Sequence, residues 1–344
     1  MVFEGLSPEA IATASNPRLT VGHGVLESAF QELGSFAVAT QPEPWALVEP
    51  ALRARAAHTW LVNGMELESL AAVEATLPRV EAVVGLGGGA SIDAAKYVAW
   101  RRNIPVMTIP TIVSVDAAVT NTIAVRQGGR VNYIGFVVPQ HVVVELDIIR
   151  QAPPHLNRAG IGDILSIHTG SFDWRRATAA GFASYDAAIA ARAKALVDSL
   201  YANAGAIRNV DDAALELLIR AYIANNALCI DAGTAQPEEG CEHFWAYHVE
   251  YLTGRTFVHG ELVSLGVLVM SHLQQNEPGR VRELLEQTGI RFQPRDIGLS
   301  REEFARSLVD LPAYIAAEGH WYTTVNERPP DRAFVHRVAA TLAF

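Results

Sequence analysis

The sequence predicts an α/β domain built on a parallel sheet, followed by an all-α domain. Three observations carry this prediction. Over the first 150 residues, short β-rich runs alternate with helical patterns, the signature of a largely parallel sheet. After Gln151 the strand patterns fade, and alanine- and leucine-rich helical segments dominate. At 344 residues the chain also exceeds the usual size of a single core, so two domains are expected. The boundary falls at the turn 151–154, which carries Pro153 and Pro154, and gives domains of 1–152 and 153–344.

In chain order, Arg18–Gly22 reads as a strand and 25–33 as a helix; Phe36–Thr40 and 59–62 read as strands separated by a helical stretch. The clearest strand is 80–86, an apolar run that ends in glycines. A helix over 91–101 follows directly, and 106–109 forms a short strand that stops at Pro110. Beyond the boundary, helices are expected over 158–176, 179–204, 211–233, 240–252, 260–276 and 280–289. Neither an internal repeat nor a low-complexity segment interrupts this pattern.

Half of the residues are apolar and 19% are charged, which suits a globular chain and argues against extensive disorder. A net charge of −10, with scattered basic residues, offers no footprint for nucleic acid. No 18-residue apolar stretch suggests a membrane span, and residues 1–8 lack the basic start and apolar run of a secretory signal. A cytoplasmic location is therefore expected. Cys229 and Cys241 are too few for a disulfide framework and lack the spacing of a zinc knuckle, so both read as buried or incidental.

The segment Val83-Val84-Gly85-Leu86-Gly87-Gly88-Gly89-Ala90-Ser91-Ile92-Asp93 places four glycines between a strand and a helix. Without Cβ atoms the backbone can approach a diphosphate, and the helix N-terminus offers it free N–H groups and a positive dipole end. A tight strand-to-helix turn without a ligand reads equally well from glycines alone. A positive φ is expected at Gly88. Asp93 and Lys96, at i and i+3, either pair on the helix surface or both face the cleft.

Three later segments carry metal-type ligands: Gly160-Ile161-Gly162-Asp163, Glu242-His243 and His259-Gly260-Glu261. A catalytic divalent site needs about three protein ligands and an open position. Asp163, His243 and His259 satisfy that requirement, and two antiparallel helices joined by a short turn can bring the two histidines together. Taken singly, a histidine beside Phe244 and Trp245 is more often a packed core residue. His168, His248 and His272 are read in that way.

In their order along nearly the whole chain, six motifs resemble the superfamily of iron-containing alcohol dehydrogenases, glycerol dehydrogenases, sn-glycerol-1-phosphate dehydrogenases and dehydroquinate synthases. They are Gly87-Gly88-Gly89-Ala90-Ser91-Ile92-Asp93-Ala94-Ala95-Lys96, Ile109-Pro110-Thr111, Ala159-Gly160-Ile161-Gly162-Asp163, Asp173-Trp174, Glu242-His243 and His259-Gly260-Glu261. The glycerol-1-phosphate dehydrogenase branch is the nearest in pattern. The resemblance implies a dehydroquinate synthase-like fold, with a Rossmann-like domain followed by a helical metal-binding domain, NAD or NADP as cofactor, and one divalent ion, zinc or iron. It further implies that Gly87, Gly88, Gly89, Ser91 and Asp93 bind the cofactor while Pro110, Thr111 and Ser114 line its nicotinamide side. Asp163, His243 and His259 match the metal ligands, Asp116 matches an aspartate beside the substrate, and Lys96 and Tyr247 are further catalytic candidates. A homo-oligomer is expected.

Departures from the pattern concern the substrate. Where the branch reads Ser-x-His-Asp-Gly, this chain reads Ser114-Val115-Asp116-Ala117-Ala118, losing an imidazole and a glycine. A second histidine four residues after His243 is replaced by Tyr247. The implied chemistry is hydride transfer between a small polar alcohol, phosphorylated or not, and a nicotinamide, with the metal as Lewis acid. A dehydroquinate synthase-like cyclase is the alternative. It is disfavoured by Lys96, where the cyclases carry an apolar or aromatic residue, and by the two lysines of the chain, too few to hold a phosphorylated acidic substrate. A non-catalytic cofactor-binding protein would not need all three ligands. The strand Phe36–Thr40 runs into Gln41 without an acidic residue, which leaves NAD and NADP equally admissible.

Overall fold

The structure is a computed structural model and describes residues 16–344. The expectation about a leader at residues 1–8 lies outside the described residues. Two compact units are present. One comprises the residues up to Asn157 together with Leu215–Ala227, the other Arg158–Ala214 together with Leu228–Phe344.

In the first unit, strands β1 (Arg18–Gly22), β2 (Phe36–Thr40), β3 (His58–Leu61), β4 (Ala82–Gly87) and β5 (Val106–Pro110) alternate with helices α1 (Leu26–Gln31), α2 (Pro42–Leu47), α3 (Leu67–Thr76) and α4 (Gly89–Arg102). An antiparallel hairpin, β6 (Ile123–Gln127) and β7 (Arg130–Ile134), precedes β8 (His141–Glu145). Six strands form one parallel sheet in the order β1-β8-β5-β4-β2-β3. Strand side chains alternate between faces, so Phe36, Val38, Val84 and Leu86 pack with Phe30 of α1, while Ala37, Ala39 and Val83 pack with Ala94, Ala95 and Val98 of α4. Burial on both faces explains why β2, β4 and β5 read as apolar runs without polar alternation. β8 was not anticipated, although it lies inside the sheet.

The second unit is built from helices, among them α5 (Ile161–Leu165), α6 (Ile167–Ala179), α7 (Ala187–Ala202), α9 (Cys241–Thr253), α10 (His259–Gln274), α11 (Pro278–Thr288) and α12 (Arg301–Val309); α8 (Asp212–Ala232) lends Leu215–Ala227 to the first unit. The helix expected over 158–176 is divided, and that expected from 179 starts only after Asp186. The Asp186 carboxylate accepts the N–H groups of Ala188 and Ile189, the N-cap that fixes this start. α8 corrects the expectation about apolar stretches. By length and composition it is the one described helix that could cross a membrane, yet 61% of its apolar window is buried inside the protein. α9 is buried from Cys241 to Val249 and α10 from Gly260 to Ser271, so polar side chains on them stand in a nearly dry interior.

Candidate active site

β4 ends at Gly87 and α4 begins at Gly89. Gly87 has φ +151°, and a Cβ there would lie 2.6 Å from Ser91 Oγ, so this position requires glycine on both counts. Gly88, where a positive φ was expected, has φ −80°. The conformational demand falls one residue earlier because the strand must turn before the helix starts. Pro110 stands opposite Gly87 in the sheet register, and the Thr111 N–H donates to the Gly87 carbonyl at 3.0 Å. The glycine turn and the Ile109-Pro110-Thr111 motif thus share one edge at the carboxyl ends of β4 and β5, where parallel sheets bind ligands. Ser91 Oγ is fully buried without a hydrogen-bond partner among the described residues. Beside the free N–H groups of the α4 terminus, that hydroxyl fits an anionic group. Ser114 is buried, and Asp116 is half-buried at the head of the short turn Asp116–Ala118. A Cβ on Gly89 would meet Val115 Cγ1 at 3.0 Å and Ala117 Cβ at 3.7 Å, so the segment that departs from the branch pattern lies against the glycine turn.

In the second unit, α5 and α10 touch backbone to backbone. A Cβ on Gly162 would lie 2.5 Å from Gly260 Cα and 2.6 Å from its carbonyl oxygen. These glycines adjoin Asp163 and His259, and their contact brings the two side chains together. His259 Nε2 lies 3.3 Å from Asp163 Oδ1, the edge of a tetrahedron with metal–ligand bonds of about 2.0 Å. His243 on α9 joins them: one ligand atom from each of Asp163, His243 and His259 lies within 4.8 Å of the other two. Asp163 and His243 are buried and His259 is half-buried, so the group opens on one side only. Burial acts to lower the pKa of His243. The Glu242 hydrogen bond and the charges of Glu239, Glu242 and Asp163 outweigh it and raise the value to about 9. A place that holds a proton this firmly has a negative potential suited to a divalent cation, and the mixed oxygen and nitrogen donors fit zinc or iron.

The model for the family described as iron-containing alcohol dehydrogenase matches residues 46–153. A glycerol-1-phosphate dehydrogenase [NAD(P)+] from Hyperthermus butylicus is 29% identical over 309 residues, covering 85% of this chain and 87% of the relative. That from Aeropyrum pernix is 28% identical over 338 residues, covering 93% and 95%. Over most of its length the chain is similar to these glycerol-1-phosphate dehydrogenases, and its residues 46–153 match the iron-containing alcohol dehydrogenase family. A crystal structure of glycerol dehydrogenase from Schizosaccharomyces pombe shares the fold of this chain, with a TM-score of 0.69 and 20% identity over 94% of this chain and 88% of that one.

The surroundings of Lys96, Asp93 and Tyr247, the remaining candidates, are set by their neighbours in the fold. Lys96 is fully buried, and its Nζ lies 2.7 Å from Asp93 Oδ1, 2.9 Å from the Ala117 carbonyl and 2.7 Å from the Thr122 carbonyl. All three ammonium donors are engaged within the protein, so Lys96 ties the segment 117–122 to α4, and Asp93 pairs with it. They pair as one alternative had it, but in the interior. The Tyr247 hydroxyl lies 3.5 Å from Glu239 Oε1, and its ring is 6.0 Å from that of His243. Glu239 was missed by sequence reasoning. Burial raises its carboxyl pKa, against the charges of His243 and His259 nearby. Arg126 and Arg130 flank the exposed tip of the β6–β7 hairpin. His168 and His248 bond the carbonyls of Asn276 and Ser307, as packing residues do.

Proposed function

We propose that this chain is a metal-dependent, NAD(P)-linked dehydrogenase that interconverts a small polar alcohol, phosphorylated or not, with its ketone. The observation that carries the proposal is the convergence of Asp163, His243 and His259 in a chain similar to these dehydrogenases. Bound there, a zinc or iron ion supplies a Lewis acid that eases loss of the alcohol proton, and a bound nicotinamide supplies the hydride acceptor. Gly87, Gly88, Gly89 and Ser91 hold the dinucleotide through its diphosphate, with Pro110, Thr111 and Ser114 on the nicotinamide side. Asp116 binds substrate. Tyr247 relays the hydroxyl proton to the Glu239 carboxylate, whose Oε1 lies 3.5 Å from its Oη. The buried, reduced cysteines Cys229 and Cys241 suit a reducing compartment and support a cytoplasmic location.

The cradle is tested by Gly88→Val. Valine tolerates φ −80°, and the nearest obstacle, Ile112 Cδ1 at 3.1 Å, is the end of a flexible side chain, so the fold is expected to survive. Dinucleotide affinity is expected to fall at least about tenfold, roughly 1.4 kcal/mol, with bound metal unchanged. Unaltered affinity in a fluorescence titration would refute the assignment.

The substrate is expected to differ from dihydroxyacetone phosphate. Val115 and Ala117 lie beside the cofactor cradle in the segment that has lost an imidazole and a glycine, and a site that loses a polar contact loses selection for the ligand that used it. Steady-state kinetics should compare dihydroxyacetone phosphate with unphosphorylated ketones, using NADH and NADPH and elemental analysis of the same preparation. Higher kcat/KM for an unphosphorylated ketone is the expected result. A clear preference for dihydroxyacetone phosphate, lost on replacing Arg126 or Arg130, overturns it.

A further inference from the structure

Glu242 precedes His243 on α9 and is fully buried. Its Oε1 lies 3.0 Å from His243 Nδ1 and accepts the N–H of Gly240 at 2.6 Å. A carboxylate oxygen only accepts, so an Nδ1 held in this way keeps its proton, and Nε2 is the nitrogen from which an arriving cation displaces a proton to gain a lone pair. We propose that Glu242 is the positioning residue of the metal centre: it selects the Nδ1–H tautomer of His243 and fixes the ring, so that Nε2 alone is offered to a divalent cation. The proposal rests on the reading of Asp163, His243 and His259 as a ligand set.

The surroundings of Glu242 give it the rigidity this role needs. Asp173 Oδ2 accepts the Cys241 N–H at 2.9 Å, which pins the first residue of α9. Asp173 Oδ1 accepts the Thr324 N–H at 2.8 Å and also the Thr324 hydroxyl. The two carboxylates close around Gly240, where a Cβ would lie 2.8 Å from Asp173 Oδ2 and 2.9 Å from Glu242 Oε2. Neither the helix start nor the glutamate can shift independently. The Asp173-Trp174 motif thereby gains a structural purpose, since its aspartate holds the helix that carries the histidine. Carboxylate–histidine–metal arrangements of this kind fix ring orientation and raise ligand basicity.

The test uses full-length protein stripped with a chelator and titrated with Zn2+ against a chromophoric competitor. Glu242→Ala is expected to weaken Zn2+ binding about 10–100-fold, the usual cost of losing such a partner. Glu242→Gln keeps an acceptor oxygen for Nδ1–H and is expected to recover most of the affinity. Wild-type affinity in Glu242→Ala overturns the proposal, and so does a Glu242→Gln loss equal to that of alanine, since charge or direct ligation would then be the cause. Should alanine prevent folding, long-range 1H–15N spectra of the zinc-loaded wild type decide: protonated Nδ1 on His243 supports the tautomer, and protonated Nε2 overturns it. Failure of the underlying ligand set looks different, because Asp163→Ala would then bind Zn2+ as the wild type does.

Discussion

Replacing Asp163 with alanine is expected to remove the bound ion and lower kcat/KM by about a thousandfold or more. The carboxylate is the sole oxygen donor of the ligand set, and two imidazoles alone cannot complete a catalytic site of three protein ligands. Lewis-acid stabilisation amounts to several kcal/mol, and about 1.36 kcal/mol corresponds to a factor of ten in rate. The fold should persist, because close packing of α5 on α10 depends on Gly162 and Gly260 and not on the aspartate side chain. Elemental analysis and steady-state kinetics on one preparation check both halves of the expectation. Stoichiometric metal retained in the variant would remove Asp163 from the ligand set.

Lys96→Met is expected to act on stability first. It leaves the buried Asp93 carboxylate without its counter-ion and takes the donor from the carbonyls of Ala117 and Thr122. Breaking a buried ion pair by removing one partner costs about 3–5 kcal/mol, a large share of the roughly 5–15 kcal/mol that holds a typical native protein folded. Urea unfolding should show a correspondingly lower midpoint. The double variant Asp93→Leu/Lys96→Met should recover part of the loss, since no charge then remains buried alone. A single variant of unchanged stability but no activity would return Lys96 to the catalytic role the family pattern suggested.

What could be read from the sequence was what neighbours in the chain encode. The glycine run between an apolar strand and a helix announces itself within eleven residues, and α9, α10 and α11 were placed to within two residues of their ends. Ligand types were visible for the same reason, since Asp163, His243 and His259 each adjoin or follow a glycine-marked helix start. β8 was hidden because its run His141-Val142-Val143-Val144-Glu145 is short, and only pairing with β1 and β5 makes it a strand. The fate of Lys96 was equally hidden: its spacing from Asp93 is local, but the carbonyls that saturate it come from 21 and 26 residues further on. Glu239 had a faint signal, an acid four residues before a ligand histidine. Distance in sequence gave no reason to connect it with Tyr247. The divided helix before α6 follows from a similar cause, because the Gly162–Gly260 contact that shapes it is made across almost a hundred residues.

That contact also bears on how the centre acquires its ion. With backbone against backbone, the spacing of α5 and α10 is settled when the chain folds, and the loss of conformational entropy needed to bring Asp163 and His259 together is incurred before any ion arrives. Binding then begins from a preorganised pair, so the ion's affinity is not diminished by having to order the chain around it. For an ion bound there, desolvation and the protons it displaces would govern exchange, since the docked framework does not need to be ordered around it.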